Sequence, residues 1–256
     1  KIIKNICGDL KNYEYLLNLF AFKLQNPLIV PNVHMIIQDN GGTGKTEILL
    51  NQIMLKLFEV NIIGQIELSS NFNSFMVGST WVVCEEVEGF SDEKRLKSLT
   101  TAKELNLNEK FEKNKKVKNH INLMIFPNEL KSIKITELDR RWNMVGGGLR
   151  IIPLRDESWK NTLFKTQQNH KRFFKGYYEN FKTELKNMYK YLMAIPITLN
   201  EVQIPLNNNL IQDLIKINFQ SHEEFINELH NTNITEVVNT CYGGSANTIL
   251  NNFIHS

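Results

Sequence analysis

The sequence predicts an α/β protein with a mainly parallel sheet, and three observations carry that expectation. Short apolar runs of strand length alternate with segments of helical periodicity. The runs are apolar at consecutive positions rather than at every second one, as in strands covered on both faces. The first run leads directly into a glycine-rich loop and then a helix.

The elements follow in order. Tyr13, Leu16, Leu17, Phe20 and Leu24 recur at helical spacing from Asn12, and Pro27 ends the pattern. Val33 to Gln38 is an apolar run between Pro31 and the glycines and reads as a buried strand. Thr46 to Phe58 follows as a helix apolar on more than one face. A second strand, Trp81 to Cys84, ends in Glu85 and Glu86; Ser91 caps the helix after it, with Asp92 and Glu93 in the first turn. A third strand is Ile121 to Phe126. Gly146 to Gly148 reads as a turn between the runs Trp142 to Val145 and Leu149 to Ile152. Beyond about Leu154 the pattern becomes helical, over Trp159 to Met193 and over Leu210 to His230 with its Ser221 and Glu224 capping box. The expected division is a helical lead-in over 1–32, a core over 33–155 and a helical C-terminal region over 156–256.

Composition excludes several classes. With 256 residues, 42% hydrophobic and 22% charged, the chain is neither collagenous, low-complexity nor a disulfide scaffold. No apolar stretch reaches membrane-span length and no signal-peptide pattern is present, so a cytoplasmic protein without a membrane partner is expected. Cys7, Cys84 and Cys241 are widely spaced and form no CxxC, which argues against a zinc site and for reduced thiols. The histidines are scattered, and His34 reads as a packed residue rather than a ligand. The first residue is Lys1, consistent with a segment of a longer chain.

The motif with the clearest chemistry is Asn40-Gly41-Gly42-Thr43-Gly44-Lys45-Thr46. Between a strand and a helix, glycines let backbone N–H groups approach phosphate oxygens, and the helix N-terminus adds partial positive charge. Lys45 is placed to reach the terminal phosphates of ATP, and Thr46 to ligate Mg²⁺. Asp39 stands where such loops usually begin with glycine, and a carboxylate there weakens affinity for a triphosphate. Glu85 and Glu86, at the tip of a neighbouring strand, suit magnesium binding and polarisation of an attacking water, respectively. Asn128 after the third strand suits a γ-phosphate sensor. Only six of the 30 basic residues are arginine, which makes the Arg140-Arg141 pair stand out as a source of a guanidinium for phosphoryl transfer. The segment Asn108 to His120 concentrates Lys110, Lys113, Lys115, Lys116 and Lys118 beside His120 and reads as a DNA-contacting hairpin that neutralises phosphates.

This series resembles the superfamily 3 helicases of small DNA viruses, phages and mobile elements, nearest to the helicase portion of primase-helicases related to the poxvirus enzyme. The resemblance rests on Cys7-Gly8-Asp9, Tyr15-Leu16-Leu17, Gln25-Asn26-Pro27, the Gly42 to Thr46 loop, Phe72-Asn73-Ser74, Glu85-Glu86, the Lys110 region, Asn128, Asp139-Arg140-Arg141, and Tyr191-Leu192 leading to Pro205. It implies a P-loop NTPase core of the AAA+-like type, a hexameric ring around single-stranded DNA, and Arg140 (or Arg141) donated between subunits. It also implies that an upstream primase domain or replication partners accompany the chain. The expected activity is ATP hydrolysis driving a DNA helicase motor. The alternatives are a nucleotide-dependent ring that remodels DNA without unwinding it and a scaffold module.

Overall fold

In a computed structural model of the chain, the described residues are 2–38, 43–70, 76–87, 93–107, 115–127, 142–146 and 167–204. Five strands form one parallel sheet: β1 (His34–Gln38), β2 (Val60–Ile63), β3 (Trp81–Val87), β6 (Asn122–Pro127) and β7 (Trp142–Gly146), in the order β2-β3-β6-β1-β7. The expected mixed α/β architecture with a parallel sheet is present. Two further strands, β4 (Glu104–Leu107) and β5 (Lys115–Lys118), pair antiparallel as a separate ribbon. The helices are α1 (Ile2–Cys7), α2 (Leu10–Gln25), α3 (Leu55–Leu57), α4 (Gln65–Ser69), α5 (Glu93–Thr101), α6 (Gln167–Ala194) and α7 (Leu199–Gln203); a wide, π-wound helix, Lys45–Met54, precedes α3.

Every residue of β1 and of β6 is buried, which explains the consecutive apolar residues Met35 to Ile37 and Leu123 to Phe126 at their centres. Alternate side chains divide between two cores. Met35, Ile37, Trp81, Val83, Met124 and Phe126 face one side, where α1, α2, the wide helix and α6 cover them. Ile36, Val82, Cys84, Leu123 and Ile125 face the other, with Leu68, Leu96, Leu99 and Leu105. On the first side Trp81 packs edge-on against Phe20 and Phe58, with ring centroids 5.7 and 5.9 Å away. His34 is fully buried: its Nδ1 accepts the Leu123 N–H at 3.0 Å while Nε2 lies 3.3 Å from the Thr100 carbonyl, so it is a packed residue.

Helix α2 begins at Asp9, whose carboxylate accepts the Asn12 N–H at 2.7 Å, and stops at Asn26 before Pro27. It also holds the C-terminal helices. The Gln25 amide donates to the carbonyls of Leu192 (2.8 Å) and Ile195 (2.9 Å), and the Tyr15 hydroxyl donates to Val202 O at 2.6 Å. Lys23 is fully buried, and its ammonium donates to Pro27 O, Ile29 O and His120 O at 2.9, 3.1 and 3.0 Å. Burial lowers its pKa to about 8, so it remains protonated at neutral pH with three donors matched to three acceptors.

Several boundaries differ from expectation. β3 continues through Val87, so Glu85 and Glu86 lie within the strand rather than in a loop after it, because parallel pairing to β6 carries on past Cys84. β2 and β4 were not expected: four residues with partly exposed faces lack a continuous apolar signal. The cap at Ser91, the run Leu149 to Ile152, the boundary near Arg155 and the helix Leu210 to His230 lie outside the described residues.

Replacing Lys23 by methionine keeps the length of the side chain but leaves three carbonyls without their donor. The expected loss is about 3 kcal/mol or more, read as a lower urea midpoint, whereas Lys11→Met on the exposed face of α2 changes stability by less than about 0.5 kcal/mol.

Candidate functional site

The parallel sheet points the C-terminal ends of β1, β6 and β3 to one edge, the place where open α/β sheets hold ligands. The chain leaves β1 there and returns at Thr43, which is buried, and Gly44, which has φ 94° and precedes the wide helix. That left-handed backbone is one glycine adopts without strain. Ile48 and Leu49 both donate their N–H to the Gly44 carbonyl, at 2.8 and 3.2 Å, so the helix opens with a widened turn directly after the loop.

Two side chains from this turn reach across the edge. The Thr46 hydroxyl donates to Glu85 Oε1 at 2.7 Å, joining the start of the helix to β3. The Lys45 ammonium donates to Pro127 O at 3.3 Å, the last residue of β6, and lies 5.8 Å from the centre of the Phe126 ring. Residues distant in sequence thus meet because β6 lies between β1 and β3. Glu86 follows Glu85 in β3 at an irregularity in its pairing with β6. Beside this edge Cys84 is buried, and burial together with the carboxylates of Glu67 and Glu85 pushes its thiol up to about 12. It stays neutral and is a poor nucleophile.

Asn40, Gly41 and Gly42 of the loop, Asn128, and the Arg140-Arg141 pair lie outside the described residues, as do Lys110 and Lys113. Lys115, Lys116 and Lys118 are exposed on β5, whose register sets Glu104 opposite Lys118 and Asn106 opposite Lys116. The ribbon's first strand therefore begins before Asn108, earlier than the lysine cluster suggests. Its base is tied down: Asn119 donates to Leu99 O and Ala102 O at 2.8 and 2.9 Å and accepts from the Ile121 N–H at 3.1 Å. His120 serves the same anchoring, with Nδ1 2.8 Å from Leu28 O and its carbonyl accepting from Lys23.

One residue beside the site went unrecognised in the sequence. Glu47, next to Thr46, gathers the Gln52 amide at 3.1 Å, the Asn51 amide at 3.4 Å and the Tyr178 hydroxyl of α6 at 3.4 Å. A lone glutamate in a first helical turn carries no sequence signal for a contact 131 residues away. Among the described residues no three histidine, cysteine, aspartate or glutamate side chains cluster as a metal cage, and no helix is long and apolar enough to cross a membrane.

The comparisons with known proteins class this architecture. A family of unknown function, DUF5906, matches residues 37–141, which contain the glycine loop, the glutamates and the ribbon. A curated relative, the DNA primase-polymerase of Nitratiruptor phage NrS-1, is 26% identical over 208 residues, covering 76% of this chain and 28% of that protein. Among solved structures, the apo C-terminal region of NrS-1 superposes with a TM-score of 0.66 at 22% identity, over 84% of this chain and 50% of that one. Its A form gives the same TM-score at 23% identity. The chain thus spans about half of the solved region and little more than a quarter of the curated relative.

These findings correct the functional expectation. The resemblance to superfamily 3 helicases pointed to an ATP hydrolase working as a helicase motor, with a remodelling ring or scaffold as the alternative. The relative is instead named for priming and polymerisation, which join nucleotides rather than spend them on strand separation. The helicase and hydrolase descriptions fall with that expectation, and the relative's name lends no support to a P-loop core or to ATP binding. The error has a physical source: a local motif such as a glycine loop followed by lysine and threonine does not specify a reaction.

The Thr46–Glu85 bond is exposed, so removing it costs little stability. Thr46→Val is expected to shift the thermal midpoint by no more than the equivalent of about 0.5 kcal/mol, so a loss of ligand binding in that variant reports on the site and not on unfolding.

Proposed function

We propose that this chain is a nucleotide- and DNA-handling region of a replication protein of the DNA primase-polymerase type, from a phage or related element. The observation that carries the site-level reading is the meeting of the Thr46 hydroxyl with Glu85 at 2.7 Å, directly after a glycine loop and beside Lys45. In this reading the backbone of Asn40 to Gly44 and the Lys45 ammonium hold the phosphates of a nucleoside triphosphate such as ATP. Thr46 and Glu85 hold Mg²⁺. The donor set fits that ion: two adjacent oxygens in an octahedral shell at ~2.1 Å stand about 3 Å apart, and Mg²⁺ takes few protein ligands because it keeps water and phosphate oxygens.

Core residues 33–155 are the nucleotide-binding part in this proposal, between the lead-in 1–32 and the C-terminal region 156–256. Glu86, Asn128, Arg140 and Arg141 are kept in this proposal as further candidates for phosphate and water contacts. Lys115, Lys116 and Lys118, with Lys110 and Lys113, are proposed to neutralise DNA phosphates, and the location follows as the cytoplasm of the host. The support for a priming and polymerising protein is the relative's name; the support for DNA contact is the exposed lysine strand on an anchored ribbon.

Isothermal titration with Mg²⁺ and ATP, and with other nucleoside triphosphates, tests the site. Lys45→Ala is expected to weaken binding about 10- to 100-fold, as loss of a charged hydrogen bond to phosphate does, and Glu85→Gln to remove most of the Mg²⁺ dependence. No binding by the unmodified chain overturns the nucleotide reading. Template-directed primer synthesis by the protein tests the class, and failure to extend any template with nucleotides present counts against it.

A further inference from the structure

Helix α6 presents two unlike faces. Tyr177, Met188 and Leu192 pack onto the core cluster shared with α2 and the sheet. On another side Lys175, Tyr178, Lys182, Lys186 and Tyr189 recur every three or four residues, with Lys190 beside them, and all are exposed. Four lysines against one glutamate of the helix, Glu179, leave a net +3, and Glu47, which meets Tyr178 from the wide helix, lowers it to +2. Glu179 lies 3.9 Å from Lys175 and offsets only that lysine. The face is continuous over about 22 Å of helix.

We propose that this face is a track for single-stranded nucleic acid, the lysines neutralising phosphates and Tyr178 and Tyr189 stacking against bases. The inference deepens the DNA-handling reading above and rests on it. Three features favour this occupant. The charge is of one sign and regularly spaced, complementary to a phosphate backbone. The two tyrosines are 48% and 45% exposed between the lysines, Tyr178 with its ring 5.5 Å from that of Tyr177, which leaves ring surface for a base as in sequence-tolerant single-strand sites. The face has too little apolar area to insert into a membrane, since Met193 is the one large aliphatic side chain exposed along α6 among the described residues. The track also begins beside the nucleotide site, where the Tyr178 hydroxyl meets Glu47, the neighbour of Thr46.

Anisotropy of a labelled oligothymidylate, titrated with the chain over a series of salt concentrations, tests the track. Replacing Lys182, Lys186 and Lys190 by alanine, a good helix former, keeps α6 intact and is expected to flatten the log–log salt slope by about 2, given about 0.7 per phosphate contact. Nucleotide binding stays unchanged. Tyr189→Ala is expected to weaken binding about tenfold, and Tyr189→Phe to restore it, since the ring and not the hydroxyl does the stacking. An unaltered slope and affinity in the α6 variants, with binding lost when Lys115, Lys116 and Lys118 are replaced, overturns the track and leaves the DNA reading in place. Absence of oligonucleotide binding by the unmodified chain overturns both.

Discussion

The site depends on the insertion of β6 between β1 and β3. In a parallel sheet all strands deliver their C-terminal ends to one edge, but strand order decides which ends are neighbours. Here the glycine loop follows β1, Glu85 lies near the end of β3, and Pro127 closes β6 between them. Lys45 spans to β6 and Thr46 spans to β3 as a result. The order is held by complete burial: a backbone with no access to water in β1 and β6 must find its hydrogen-bond partners in the ladder, and the side chains on both faces are already committed to separate cores.

Around that edge, polar side chains act as ties rather than as chemistry. Lys23 joins the end of α2, the following loop and the base of the ribbon through three carbonyls; Asn119 ties the same base to the end of α5; Gln25 closes the end of α6. Each is a buried or half-buried group whose hydrogen bonds are met by backbone acceptors, the condition under which such groups support a fold instead of weakening it. Their common effect is to seat the β4–β5 ribbon and α6 on the body that carries the widened turn after Gly44. The two lysine-bearing surfaces, one on the ribbon and one on α6, are therefore both mounted on rigid supports.

The functional lesson lies in the difference between a motif and a reaction. Gly44, Lys45 and Thr46 with Glu85 are proposed to hold polyphosphate and Mg²⁺, and such an arrangement is compatible with several uses of a nucleotide. The helicase expectation came from the order of motifs along the chain, whereas the comparison leads to a protein named for priming and polymerisation. His120 shows the same distinction at a single residue. Beside a lysine run it reads as a phosphate contact, and in the structure it also anchors the ribbon, its Nδ1 beside Leu28 O and its carbonyl bound by Lys23.

The amino-acid sequence alone determined the α/β class, the buried strands expected over Val33 to Gln38 and Ile121 to Phe126, and the helix after the glycines, and it nominated Lys45, Thr46 and Glu85 as site candidates. Those features are local: apolar runs, glycines and charged residues at strand ends leave a signal within a few residues. Tertiary structure alone decided that Thr46 meets Glu85, that Glu47 meets Tyr178, and that β2 and β4 form at all. Short, half-exposed strands gain their stability from a neighbour rather than from their own sequence, and contacts across 39 or 131 residues follow from strand order and helix packing, which no local pattern encodes.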